Sequence, residues 1–307
     1  MNPLRIIFMG SPDFAVPSLE LLAESDHEIV TVVSGSDKRR SRRGDPIPTP
    51  VKKRAQELNL PTLDIDNVKD PAFAEKLTKL DADLFVVVAF KVLPENLLEI
   101  PEKGSINLHA SLLPKYRGAA PIHWAVINGE KEIGCTVFFL EKEVDTGNVI
   151  DTVTTPIGPN ETTGDVYDRL KEKGAKLLLG CVNKIAKNEV SLSAQDHSKA
   201  TPAPKLFNEN TRIDFTKSAE EVHNLVRGLN PFPVAWCVYG DEKMNVYRTS
   251  VAGAGNLKPG ELTSMDGRLV AGCGKGSVEL HSVQLPGTKK LSGSEFINGY
   301  NIDKELS

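Results

Sequence analysis

The sequence predicts an α/β protein in two parts: a doubly wound, mostly parallel sheet, then a second, smaller β domain. Three observations carry this. Short apolar runs alternate with helical spacing as far as about residue 187, the pattern of strands joined by helical crossovers. The run LFVVVA at residues 84–89 is apolar throughout, as a strand covered on both faces should be. After Asn230-Pro231-Phe232-Pro233 the texture becomes short strands between glycine-rich turns, which fits a small antiparallel domain.

In chain order, residues 4–9 read as the first strand, closed by the turn Gly10-Ser11-Pro12. Residues 17–23 follow as a helix with proline near its start. Residues 29–33 are a second strand, and 51–58 and 72–80 carry helical spacing. After the strand at 84–89 come a strand at 104–109, a helix at 122–127, and strands at 135–140 and 149–154. Helical spacing over 166–187 closes this part. Residues 191–205 are polar and hold Pro202 and Pro204, as a linker does. A helix at 219–229 precedes strands at 235–239, 245–251, 260–264, 268–273 and 277–283, and a final helix spans 292–298. The expected organisation is a Rossmann-like catalytic domain over 1–189, a linker over 190–206 and an OB-like β-barrel over 207–307.

Composition narrows the class. Of 307 residues, 25% are charged and 40% hydrophobic, with a formal net charge of -4. That is a soluble globular balance, and it excludes a uniformly basic nucleic-acid coat. No apolar run reaches membrane length, and the opening residues read as a strand instead of a signal segment. Cys135, Cys181, Cys237 and Cys273 lie far apart with no CxxC, so buried thiols in a reducing, cytoplasmic setting are expected. No cluster stands at metal-ligand spacing, and no metal is expected. The first turn invites a dinucleotide reading, but Gly10 is followed by Ser11, Pro12, Asp13, Phe14 and Ala15. The later glycines of GxGxxG are missing, and Phe14 fills the path a pyrophosphate needs.

One loop is strongly basic. Residues 37–43 read DKRRSRR, and Lys52, Lys53 and Arg54 follow. Gly44, Pro46, Pro48 and Pro50 should keep the intervening segment irregular. A charge run is usually a solvated face; the sharper reading is phosphate contact.

Residues 104–147 carry the chemistry. In Ile106-Asn107-Leu108-His109, alternation puts Asn107 and His109 on one face of a strand. They sit at its carboxyl end, where open α/β sheets bind ligands. Asp145-Thr146-Gly147 forms a second loop after an apolar strand. Singly, an Asn ties down a turn, a His packs, and an Asp before Thr-Gly is a turn residue. Together they offer an amide, an imidazole and a carboxylate, a kit for acyl transfer through a tetrahedral intermediate. The other histidines, His27, His123, His197, His223 and His281, have no such partners and read as structural or surface residues.

Asn107-x-His109-x-Ser111-Leu112-Leu113-Pro114, then Arg117-Gly118-Ala119-Ala120-Pro121-Ile122, then Asp145-Thr146-Gly147 resembles the signature of the folate-dependent formyltransferases. The opening IIFMGSPDFAVPSLE and the later LNPFPVAW extend the resemblance over essentially the whole chain, toward the branch acting on charged tRNA. The resemblance implies 10-formyltetrahydrofolate as co-substrate, methionyl initiator tRNA as acceptor, and Asn107, His109 and Asp145 as catalytic residues. It also implies a folate pocket lined by Ser111, Leu112, Leu113 and Pro114. Phe90, Lys91, Val92, Leu93, Leu140 and Val144 would frame the pterin. Many relatives have Tyr-Gly where this chain has Phe90-Lys91, and Lys91 is expected to point to solvent. Lys38, Arg39, Arg40, Arg42 and Arg43 would contact the tRNA, and a monomer can carry the whole site. Rival acceptors are an amino-sugar nucleotide, glycinamide ribonucleotide and water. A rival of another class is a non-catalytic RNA-binding protein, against which the complete Asn/His/Asp set argues.

Overall fold

A computed structural model of the chain describes residues 2–39, 45–253 and 257–307, with the backbone alone at Lys38 and Arg39. Packing separates two units. The first comprises Met1–Gly118, Ile133–Thr155 and Tyr167–Pro202; the second comprises Ala119–Glu132, Pro156–Val166 and Ala203–Ser307. Residues 190–202, linker-like in composition, therefore group with the first unit. The helix Pro121–Ile127 groups with the second.

The first unit is built on a seven-stranded sheet. Its strand order is Val149–Pro156, Glu132–Phe139, Ser105–His109, Leu84–Val88, Arg5–Gly10, Glu28–Ser34 and Thr62–Asp64. Leu84–Val88 runs parallel to both its neighbours and is buried at all five positions. That explains its unbroken β-branched and apolar run. Phe8 and Phe85 have no exposed surface, and burying each contributes roughly 1.5–3 kcal/mol. Ser105–His109 is parallel to Leu84–Val88 on one side and antiparallel to Glu132–Phe139 on the other. Asn107 there stands opposite Phe138 and His109 opposite Thr136.

The helices start where local chemistry favours it. Thr49 accepts from the Lys52 amide ahead of Pro50–Glu57, and Asp70 accepts from the Ala72 amide ahead of Pro71–Thr78. Such caps are worth about 1 kcal/mol each. Phe14 is buried edge-on against Tyr167, with ring centroids 5.2 Å apart. Short elements such as the edge strand Thr62–Asp64 and the single turn Glu95–Leu98 carry no periodic signal. The four cysteines are free and buried, and burial pushes the Cys135 thiol up to about 12.

The segment expected to be irregular forms a small antiparallel pairing, Lys38 opposite Ile47 and Arg39 opposite Pro46. Proline lacks an amide donor, so it fits only such an edge. Arg40, Arg42 and Arg43 lie outside the described residues.

The second unit holds a six-stranded sheet. The order is Ala235–Tyr239, Glu242–Ala252, Ser277–Gln284, Arg268–Gly272 and Leu262–Met265, with Leu291–Ser292 beside Ser277–Gln284. These six strands pair with one another antiparallel. Met244 and Val246 alternate inward with Val278, Leu280 and Val283 into one core, which Phe296 of the helix Gly293–Gly299 completes. The helix Ala219–Gly228 opens on a reciprocal cap between Ser218 and Glu221, and Ile127 packs on the same core.

Two histidines of this unit face carbonyls. His123 Nε2 donates to Phe232 O at 3.1 Å, and His223 Nε2 donates to Pro159 O at 3.1 Å. Burial pushes both imidazoles below the usual histidine value. The folded chain keeps them neutral while the unfolded chain takes up protons near pH 6.5. Their contribution is therefore present above that pH and lost as pH falls through the lower folded value. His223→Asn should flatten the fall in thermal midpoint between about pH 7 and pH 5. Identical slopes for variant and parent would remove His223 from the acid response.

Candidate active site

The strand Ser105–His109 brings Asn107 and His109 to one face. Asn107 is half-buried, and its side-chain amide makes no hydrogen bond among the described residues. It is therefore free to meet a ligand. His109 is 7% exposed. Its Nε2 donates to Tyr116 O at 2.8 Å, since a carbonyl can only accept. The remaining ring nitrogen, Nδ1, faces Asp145 Oδ2 at 3.8 Å. That gap is beyond a direct hydrogen bond.

Asp145 is equally buried, at 7% exposure, and stands in the left-handed backbone region with φ 57°. Its carboxylate oxygen Oδ2 accepts from the Gly118 amide at 2.9 Å. Its main chain is held from another direction. Gln195 Nε2 donates to Asp145 O at 3.1 Å and to Gly147 O at 2.8 Å. Gln195 Oε1 in turn accepts from Arg117 Nη2 at 2.6 Å. Gly147 closes the loop against Phe139, where an added Cβ would lie 1.9 Å from the Phe139 carbonyl oxygen. Neither Gln195 nor the role of Arg117 has a local signal. Gln195 sits in a polar, linker-like stretch, and its partners lie 48 to 78 positions away in sequence.

The expected folate contacts divide into three groups. Phe90, Leu93 and Leu140 are apolar side chains packed with one core cluster of the first unit. Val92 and Val144 project from it, 67% and 51% exposed. Lys142 Nζ lies 3.2 Å from Glu95 Oε2, joining its loop to the turn Glu95–Leu98. Exposed valines beside half-buried apolar groups suit the face of a flat ring. Ser111 differs, because it has no exposed surface and its hydroxyl donates to Lys115 O at 2.6 Å. The Ser111 carbonyl accepts from Thr136, whose hydroxyl oxygen also accepts from the Leu113 amide at 3.1 Å. Ser111 thus shapes the turn that presents the half-buried Leu112, Leu113 and Pro114. Lys91 is exposed, as expected, but its ammonium is not free: it donates to the carbonyls of Ile65 and Asp66. The lysine ties two loops together where a glycine could not.

The basic stretch is also less free than its charge suggests. Lys52 is 8% exposed and sits 2.7 Å from both Asp37 and Asp64. Arg54 is paired with Glu20 and Glu57. Of residues 52–54, Lys53 alone is largely exposed, with Glu57 at 3.9 Å. Among the described residues, no group of three or more His, Cys, Asp or Glu could hold a metal ion, and no helix is long and apolar enough to cross a membrane.

Comparison with known proteins follows this geometry. Residues 4–182 match the formyl transferase family and residues 205–301 match the formyl transferase C-terminal domain. The methionyl-tRNA formyltransferase of Chlorobium phaeovibrioides is 43% identical, over 99% of this chain and 97% of its own length. That of Chlorobium luteolum is 44% identical, over 97% of each. Among solved structures, the fold is similar to that of WlaRD, a sugar 3N-formyl transferase, with TM-score 0.70 and 19% identity over 94% of this chain and 100% of that one. An N-formyltransferase from Helicobacter canadensis gives TM-score 0.70 and 20% identity over 90% and 98%.

The tight loop makes a sharp test. Gly147→Ala should cost about 1–3 kcal/mol through overpacking against Phe139. Gly180→Ala, where an added Cβ meets nothing within 4 Å, should be neutral or stabilising. Urea denaturation of the two variants compares them. Equal midpoints would mean that the loop relaxes and that its tightness does not hold Asp145.

Proposed function

Because this chain belongs to the formyl transferase family, we propose that it moves the formyl group of 10-formyltetrahydrofolate onto the α-amine of methionyl initiator tRNA. The observation that carries the acceptor is the 43–44% identity, over nearly the full length, to methionyl-tRNA formyltransferases. The likeness to sugar formyltransferases speaks only for the fold. The reaction is one of the cytoplasm, where initiator tRNA is charged, and a monomer suffices for it.

Asn107, His109 and Asp145 carry the chemistry. The neutral α-amine attacks the formyl carbon, a new C–N bond forms, and negative charge gathers on the formyl oxygen. The free amide of Asn107 donates to that oxygen. His109 presents Nδ1, because Nε2 is already engaged by Tyr116 O. A protonated Nδ1 adds a second donor, with Asp145 as its counter-charge. Asp145 takes the amine's proton through a water and returns it by the same route to N10 as the bond to N10 breaks, so that N10 leaves protonated and the carboxylate is restored. Phe90, Val92, Leu93, Leu140 and Val144 offer the apolar surface for the pterin, beside Leu112, Leu113 and Pro114. Lys91 sets the spacing of its loop.

Acceptor choice falls to other residues. Lys38, Arg39, Arg40, Arg42 and Arg43 contact phosphates near the acceptor end, and the C-terminal domain adds backbone contacts. The internal pairing of Lys52 and Arg54 concentrates the available positive charge on residues 38–43.

The deciding experiment is transfer from labelled 10-formyltetrahydrofolate to methionyl initiator tRNA and, separately, to an amino-sugar nucleotide. Transfer to the tRNA alone is expected. Transfer to the sugar alone would keep the chemistry and overturn the acceptor. Asn107→Ala should lower turnover roughly 100- to 1,000-fold while folate still binds, and His109→Ala should be at least as severe. Near-normal turnover in Asn107→Ala would take the amide out of the mechanism. Replacing Arg39, Arg40, Arg42 and Arg43 with Ala should raise KM for tRNA and weaken its salt dependence, leaving folate affinity unchanged. An unchanged KM for tRNA would refute the loop's role.

A further inference from the structure

We infer that Gln195 is a positioning residue for Asp145, and that residues 193–201 act as a strap that sets the distance between Asp145 and His109. The inference rests on the catalytic reading of that pair given above. The strap is fastened at both ends within the first unit. At one end Ser193 and Val149 exchange main-chain hydrogen bonds of 2.8 and 2.9 Å, just beyond the Asp145 loop. At the other, Thr201 O accepts from the Arg117 amide at 2.9 Å, and Thr201 Oγ1 accepts from the Tyr116 amide at 2.9 Å. Between them Gln195, 8% exposed, binds the main chain of the loop through Asp145 O and Gly147 O.

This arrangement has one consequence for the carboxylate. Asp145 stands in the left-handed region at φ 57°, where a buried loop residue needs contacts to fix its backbone. Asp145 has such contacts. Its carbonyl is held by Gln195, and its carboxylate by Gly118 N–H. Both holds lead to consecutive residues, because Gln195 is itself held by Arg117. Tyr116, the residue before, holds His109 Nε2. The tripeptide Tyr116-Arg117-Gly118 therefore fixes both members of the pair, and only the Asp145 main chain is reached through an intermediary. That intermediary is Gln195. A carboxamide is required: one end must donate to two carbonyls while the other accepts from a guanidinium. A carboxylate there would keep Arg117 and repel both carbonyls.

Two variants test this in the full-length protein. Gln195→Leu removes both hydrogen-bonding ends at similar volume, and Gln195→Glu keeps the acceptor for Arg117. Both should lower kcat by about 10- to 100-fold, as misplacement near 1 Å does, with KM for donor and acceptor within about threefold. Glu189→Gln, an exposed neighbour, serves as control. A second readout needs no acceptor: the Gly118 amide signal in NMR, whose proton is bonded to the Asp145 carboxylate. In both variants that signal should move and exchange faster, while amides of the central strand Leu84–Val88 stay protected. Unchanged kcat in either variant overturns the inference. So does a fall in kcat with an unmoved Gly118 signal, or a loss of protection across the whole sheet. If the parent enzyme uses another acceptor, the proposed function fails, yet the same comparison on that acceptor still decides the role of Gln195.

Discussion

The hydrogen bond from the Gly118 amide to the Asp145 carboxylate is the constraint on which the site depends. It joins the segment after the strand Ser105–His109 to a loop beyond the next strand in the sheet. A charge-assisted bond of this kind is roughly twice as strong as a neutral one. Asp145 is almost wholly enclosed, so its lone pairs must be satisfied locally or by a ligand. Oδ2 is used by Gly118, and the same oxygen faces His109 Nδ1 across a 3.8 Å separation. A site in which every polar group were satisfied would be more stable and less able to react. Here, among the described residues, the free amide of Asn107, the open approach between His109 and Asp145 and the buried Nε of Arg117 are places where hydrogen bonding remains incomplete.

The sheet explains why those places are reproducible. Asn107 and His109 lie on a strand flanked by Leu84–Val88 and Glu132–Phe139, and their backbone is bonded on both edges. Side chains set on such an element move less than side chains on loops. Asp145 has no such support, since it stands in a loop with a left-handed backbone. The fold compensates with a tight glycine, a main-chain donor and a glutamine bridge. His109 and Asp145 are thus held by different means, one by a sheet and the other by a network of hydrogen bonds.

Much of this was legible in the residues. Period-two and period-3.6 patterning located the longer strands and helices, because those elements bury a face and their sequences must show it. Leu84–Val88 is the clearest instance. The three-residue strand Thr62–Asp64 and the single turn Glu95–Leu98 are too short to establish a period. Asn107, His109 and Asp145 could be chosen together from strand alternation and the family-like motif. Gln195 could not be, since its hydrogen bonds are made to residues brought near only by the fold. The same holds for Lys91 and Lys52. Each reads locally as solvated charge, and each is tied to carbonyls or carboxylates of a distant loop.

Those tied lysines bear on how a protein of net charge -4 could hold a polyanion. Lys52 between Asp37 and Asp64, and Arg54 between Glu20 and Glu57, are cations that stabilise this unit and attract little from outside. Partly buried pairs of this kind are screened less by salt than exposed ones, and they anchor the chain on either side of the basic stretch. Asp37 immediately precedes that stretch, and the helix Pro50–Glu57 follows soon after it. The chain on either side of residues 40–44 is thereby held at defined points on the first unit. In the proposed function, phosphate contacts can select a register without a globally basic surface.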